Sequence, residues 1–350
     1  MKKTDMLFEL IKSLDNNEKR YFSLFAQRHT LGERNNYLRL FEAISKQKAY
    51  DEKPLLALYK KSTASDNLRL RRQYLYKLIL KSLDNHHADD SVETQLKRQI
   101  HCIKILFRKG LYRHCERIIT KAKPIAVKYE KQLLMLELLN WEKRLIKMQG
   151  YSGKPKEKIE KISKQTFQYL DEYKSIHEYD MLSIRLTMNL KQQGFIRSSV
   201  EAKKIKSSTK YSILVKKNKT FPFHAKIHLN TYYLSYFKRI QGDVQKAYQY
   251  SVQQVQLIEK NPHLLAEEKE MYVSALHNLI ISQSFLKKYK EMNLSIQKLK
   301  SFRTNSKNMN NHIFYITSIT EITMCIDIGE FERAIHLISE IERMLIVKIE

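Results

Sequence analysis

Apolar and polar positions from His224 to Ser251 follow a helical period on either side of one glycine. Tyr232, Tyr233, Tyr236 and Phe237 lie beside Lys226, Lys238 and Arg239 in the first half. After Gly242, the apolar residues Val244, Ala247 and Tyr248 open a second helical pattern. Side chains three and four apart share one face of a helix. The stretch therefore predicts two amphipathic helices meeting at a tight turn, and this pattern recurs along the chain.

Residues 1–88 read as a separate helical block. Asp15-Asn-Asn-Glu18 has the form of a capping box, an Asx side chain at the N-cap with Glu three residues on. Tyr21, Phe22, Leu24 and Phe25 then supply an apolar face. Tyr37–Ile44 is a second amphipathic helix, and Pro54 opens a third, since proline suits a first turn. Ser65-Asp-Asn67 starts a fourth, with Leu68, Leu75, Ile79 and Leu83 at helical spacing. The polar run Asp84–Asp90 marks the boundary, and residues 91–350 form the second domain.

In that second domain Gly110, Gly150, Gly194, Gly242 and Gly329 sit where one helical pattern gives way to the next, and Lys287-Lys288-Tyr289 fills the place without glycine. The steps of roughly 40 to 48 residues match helical-hairpin repeats, two helices to each. Glycine suits the position because a helix C-terminus commonly closes in a left-handed residue. An apolar residue follows each turn, with a further side chain three positions on: Tyr112/Cys115, Val244/Ala247, Tyr289/Met292 and Phe331/Ala334.

Gly242-Asp-Val-Gln-Lys-Ala247 and Gly329-Glu-Phe-Glu-Arg-Ala334 resemble the interhelical turn of tetratricopeptide repeats, and Leu234-Ser235 falls where that family places Leu-Gly. Gly110-Leu-Tyr-Arg-His-Cys115 is similar, with Cys for Ala. Gly194-Phe-Ile-Arg-Ser-Ser and Met292 depart from the pattern. The resemblance is to a degenerate, long-helix relative over 91–350. Glu18-Lys-Arg-Tyr-Phe22 and Leu75–Leu83 are similar to uncharacterised bacterial helical-repeat proteins, which implies no function. The expected fold is all-α: a small helical N-terminal block, then about six hairpins in a right-handed superhelical solenoid.

Composition supports helix and adds a charge. The 350 residues hold only 7 Gly and 5 Pro, too few for the tight turns of an all-β fold. Net charge is +27, which points to an acidic partner: protein or peptide segments, nucleic acid, or an anionic surface. The three cysteines, Cys102, Cys115 and Cys325, make no disulfide framework, and no apolar run reaches the ~18 residues of a membrane span. A cytoplasmic location is expected.

The resemblance implies that the first helix of each hairpin lines a concave groove. Carried over unit by unit, its lining is Lys97, His101, Lys104 and Arg108, then Asn140, Arg144 and Lys147, then Arg185 and Lys191, then Tyr232, Tyr236 and Arg239, then His277 and Asn278. The set contains no acid, and its donors suit carboxylates or phosphates. The leading expectation is a non-enzymatic scaffold that holds acidic or extended peptides.

A second expectation rests on an acid gap. Glu201 is the one acid between Asp180 and Asp243, against 13 Lys/Arg. Lys203, Lys204, Lys206, Lys216, Lys217 and Lys219 cluster there, with Phe221, Phe223 and the Tyr group following. Basic residues interleaved with aromatics suit single-stranded nucleic acid over 185–239.

Other chemistry has little support. His224 and His228 share a face, but Ala225 stands where a zinc protease motif needs Glu. His101-Cys102 and His114-Cys115 lack the close spacing of a zinc site. No phosphate loop, nucleophile elbow or dinucleotide fingerprint occurs, so neither enzyme activity nor a cofactor is expected. The largely apolar run Ile341–Glu350 of the last helix is read as a self-association segment or a junction to further chain.

Overall fold

The computed structural model describes residues 5–28, 36–57, 66–150, 155–193, 221–304 and 306–346. Among them all regular structure is helical. The chain divides into two compact units, Met1–Gln95 and Leu96–Glu350.

In the first unit, α1 (Met6–Ser13), α2 (Asn16–Arg28), α3 (Asn36–Lys46), α4 (Lys53–Ala57) and α5 (Asp66–His86) enclose one core. Ile11, Phe22, Ala26, Leu40, Ile44, Leu55, Leu75 and Ile79 are its most buried members. The expected capping box forms: the Glu18 amide donates to Asp15 Oδ1 and the Asp15 amide to Glu18 Oε2, both at 2.8 Å. Asp5 caps α1 by accepting from the Leu7 and Phe8 amides at 3.1 Å. Arg72 of α5 pairs with Asp5 and with Glu52, and so ties α5 to both helix entries.

The succeeding helices are α6 (Val92–Arg108), α7 (Tyr112–Lys128), α8 (Gln132–Met148), α9 (Pro155–Gln193) and α10 (Phe223–Tyr236). A π-wound segment, Phe237–Gln241, prolongs α10. Then come α11 (Val244–Glu259), α12 (Pro262–Glu267), α13 (Lys269–Phe285), α14 (Tyr289–Ser301), α15 (Lys307–Ile328) and α16 (Phe331–Ile346). From α7 onward helices pack mainly on their sequence neighbours, and α13 also reaches α11 and α15. Leu276, Ile280, Ile296, Leu299 and Ile316 centre the core of α10–α15.

One turn rule explains the junctions. Gly110, Gly150, Gly242 and Gly329 have φ between 65° and 82°. Glu130 (φ 49°) and Lys287 (φ 55°) hold the same left-handed place without glycine. At Gly110, Glu130, Lys287 and Gly329 the next amide donates to the carbonyl five residues back, the bond that closes a Schellman cap. At Gly242 that bond reaches one residue further, from Asp243 to Phe237, because the preceding turn is π-wound. Five residues after each of these turns comes a side chain at most 4% exposed: Cys115, Met135, Ala247, Met292 and Ala334. The chain reversal presses the second turn of the new helix onto the old one, and only apolar side chains fit there.

A Cβ added at Gly242 would meet nothing within 4 Å, so Gly242→Ala carries only the left-handed backbone cost. We expect a loss of about 1 kcal/mol, read from denaturant unfolding followed by the fluorescence of Trp141, which lies 6% exposed in α8. A loss several times larger would mean that the turn depends on more than its φ.

One element departs from the repeat. The spacing of Gly150 and Gly194 predicts two helices between them, yet α9 is a single helix of 39 residues. No Gly or Pro interrupts it after Pro155, so nothing local stops the helix. Gly194 lies outside the described residues, as do residues 347–350 of the expected self-association segment.

Candidate functional site

The helix α10 is held at its N-terminus by a buried polar cluster. Pro222 precedes it and offers no side-chain cap. The free amide of Phe223 instead donates to Glu130 Oε1 and Oε2, at 2.9 and 2.8 Å. Glu130 belongs to the α7–α8 turn, so a distant carboxylate caps the helix and meets the positive end of its dipole.

His224 lies between two acids. Its Nε2 is 2.8 Å from Glu268 Oε1, and its Nδ1 is 3.4 Å from Glu130 Oε2. Burial opposes its charge, but hydrogen bonds to Glu130 and Glu268 win and raise its pKa to about 9. Glu130 and Glu268 are both held below the usual carboxylate value: burial works against this, and His224 outweighs it. Lys131 Nζ adds a contact to Glu268 at 3.4 Å. His228, one turn on, faces Asp180 at 3.3 Å. Burial, with the nearby charge of His224, lowers its pKa although Asp180 opposes the shift. Both histidines are thus engaged by carboxylates, and among the described residues no group of three His/Cys/Asp/Glu is disposed to hold a metal.

At the other end of α10, the π turn carries Lys238 and Arg239. Lys238 Nζ lies 4.2 Å from the ring centroid of Phe285, at the C-terminus of α13. Burial, then the neighbouring Arg239, pushes the Lys238 pKa down to about 8. His277 of α13 is lowered by burial and then by His312 of α15 and by Lys238. Lys238, Arg239, His277 and His312 thus lie near enough for their basic groups to act on one another. Lys238 and Arg239 are the standing cations of this group, since burial makes His277 easier to deprotonate, and an anion would meet those two first.

Beside it stands an aromatic stack. The Tyr250 ring of α11 lies 4.8 Å from Tyr233 and 5.6 Å from Phe237, with interplanar angles of 23° and 6°. Lys246 Nζ sits 5.3 Å from the Phe237 centroid. π-wound turns inside helices occur frequently at functional sites, and this one places basic and aromatic side chains together.

The residues expected to line a groove separate into groups. Lys97, His101, Lys104 and Arg108 form one exposed row on α6. Asn140, Arg144 and Lys147 are exposed on α8, where Arg144 lies over Trp141 at 4.2 Å and over Phe107 at 4.9 Å. Arg185 and Lys191 are exposed on the C-terminal half of α9. Arg239 is exposed beside Lys238, and Asn278 is half-buried next to His277. Tyr232 is corrected by the structure: only 1% exposed, it packs on Leu182, Leu186 and Leu190 of α9 and belongs to the core. Tyr236 is half-buried on the same cluster, its hydroxyl accepting from Gln241 Nε2 at 2.7 Å. Lys203, Lys204, Lys206, Lys216, Lys217 and Lys219 lie outside the described residues. Sequence reasoning passed over Lys238 and His312 as site residues, and neither carries a motif.

No protein-family model, curated protein or solved structure matches the chain. Among the described residues no helix is long and apolar enough to cross a membrane.

Proposed function

We propose that the chain is a non-enzymatic protein-interaction scaffold that binds acidic or extended peptide segments at the Lys238–Arg239–His277–His312 cluster. In this reading α6–α16 stack as tetratricopeptide-like hairpins in a right-handed solenoid, and the basic rows of α6 and α8 extend the peptide track. The observation that carries it is the π turn, which holds Lys238 over Phe285 at 4.2 Å beside exposed Arg239, with His277 of α13 and His312 of α15 near enough to act on one another's charge. A carboxylate brought there gains charge-assisted hydrogen bonds from Lys238 and Arg239.

The test is fluorescence anisotropy of a labelled Glu-rich peptide at about 0.15 M salt, where only charges within ~8 Å act strongly. The double variant Lys238→Glu/Arg239→Glu is expected to weaken binding by tenfold or more, which is about 1.4 kcal/mol or more. Affinity should also fall as pH rises through about 8, because Lys238 then loses its proton. Unchanged affinity in the double variant would reject the site. A labelled single-stranded oligonucleotide in the same assay separates the alternative: tighter binding than the peptide, with a steep salt slope, would assign the basic segment 185–239 to nucleic acid.

A further inference from the structure

The first unit carries a basic surface of its own, on α5. Between Asn67 and Leu83 the chain holds Arg69, Arg71, Arg72, Lys77 and Lys81 and no Asp or Glu. Leu68, Leu75, Leu78, Ile79 and Ser82 turn one side of the helix into the core. The opposite arc is exposed, and Arg69, Gln73, Lys77 and Lys81 follow one another along it at every fourth residue. At 1.5 Å per residue this row runs ~18 Å along the helix.

A recess lies on each side of the row. The larger, of about 730 Å³, is lined by Met6 and Leu7 of α1, by Glu52, and by Arg69, Arg72 and Tyr76 of α5. The smaller, of about 470 Å³, is lined by Asn36 and Tyr37 of α3 with Leu70, Arg71 and Tyr74 of α5. Gln73 and Lys77 line both, so α5 stands as a ridge between them. Glu52 is the one acid among the described residues lining either recess, and Arg72 holds it at 3.1 Å. Arg72 also pairs with Asp5, so its charge serves the fold. Glu9, Glu42 and Asp51 are exposed on neighbouring elements, as are Lys12, Arg39 and Lys53, and these line neither recess. Asp66 and Asp84 stand at the two ends of the helix, outside the row.

A helix with its side chains is ~10–12 Å across, and the major groove of B-form DNA is ~12 Å wide between two phosphate strands. We propose that the first unit binds double-stranded DNA with α5 in the major groove. The two strands run over the recesses on either side, and Lys77 and Lys81 neutralise phosphates. Arg69 and Gln73 reach base edges, a guanidinium suiting guanine and a side-chain amide suiting adenine. Leu70 and Leu80, exposed beside the row, suit the methyl group of thymine. An acidic peptide fits less well, because one extended chain fills one recess and leaves the other open. The surface lies wholly in the first unit and does not depend on the peptide cluster of the second.

The probe is a fluorescent duplex of mixed sequence and roughly 24 base pairs, a little over two turns. Anisotropy with the full chain at about 0.15 M salt should give saturable binding in the micromolar range. Lys77→Glu/Lys81→Glu should weaken it by about tenfold or more and lower the salt slope by about 1.8, at ~0.9 per phosphate contact. Lys161→Glu/Lys164→Glu removes equal charge from exposed positions of α9 and should change affinity by less than about threefold. All four lysines are exposed, so circular dichroism should show the helix content retained. Equal losses in the two variants would reduce the binding to net charge and overturn the proposal, as would no binding at about 0.05 M salt. At saturation, methylation of guanine N7, an atom of the major groove, should fall. Unaltered methylation would overturn the placement of α5. Tighter binding of the single strand than of the duplex, lost in Lys77→Glu/Lys81→Glu, would give the ridge to unpaired nucleic acid. Loss of Glu-rich peptide binding in that variant with duplex binding intact would give it to an acidic protein, and either result overturns the proposal.

Discussion

His224→Ala is expected to destabilise the second unit by about 3 kcal/mol near pH 6 and by little near pH 10, because a pKa unit is worth about 1.4 kcal/mol. The folded pKa of His224 is about 9, against an ordinary value of 6.5. A group raised on folding contributes fully below its unfolded value and loses that contribution as pH rises through its folded one. The clamp on Glu130 and Glu268 is therefore complete below 6.5 and gone above about 9. The two carboxylates, lowered on folding from 4.5, contribute above that value and lose their share as pH falls through their folded values. His228 runs the other way: its lowered pKa means that acid below 6.5 favours the unfolded chain. These groups together favour the fold most near pH 6.5, whereas Lys238, lowered on folding from 10.5 to about 8, returns stability as pH climbs above 8. Denaturant unfolding read by Trp141 across pH checks the point, and a loss in His224→Ala independent of pH would assign the residue to packing alone.

Tyr232→Ala should cost about 3–5 kcal/mol, the usual range for removing a large buried ring. The ring sits between α9 and α10 on Leu182, Leu186 and Leu190, and its space would be left as a cavity. Tyr236→Ala, at the half-buried edge of the same cluster, should cost less than half as much. The same fluorescence assay compares the two. Equal, small losses would place Tyr232 at a surface after all.

These two sites show what the chain discloses and what it hides. The helix starts were legible because capping is local: Asp15 and Glu18 close their own box within four residues. The turns at Gly110, Gly150, Gly242, Lys287 and Gly329 were legible too, since a helix junction is a sequence-local constraint, but the one at Glu130 has no glycine to mark it. The face of α10 was not. Phe223, Ala225, Ile227, Tyr232 and Leu234 are all buried, because α9 and α11 pack on different sides of it. A helix covered from two directions has apolar residues almost all round, and periodicity then no longer tells groove from core. Glu130 was invisible for a different reason. Its value as a cap exists only once residue 223, far along the chain, arrives beside it. The π turn also has no residue signature, so the presentation of Lys238 against Phe285 follows from winding rather than composition.

The 39-residue α9 is about 58 Å long at 1.5 Å per residue. It packs on α8 and on α10, and Leu182, Leu186 and Leu190 of its later half grip Tyr232. It thus has the dimensions of a lever arm. A tilt of about 10° about one end sweeps the other through about 10 Å, given that length. A tilt of α8 that α9 followed as a rigid rod would therefore be magnified at its far end, beside α10.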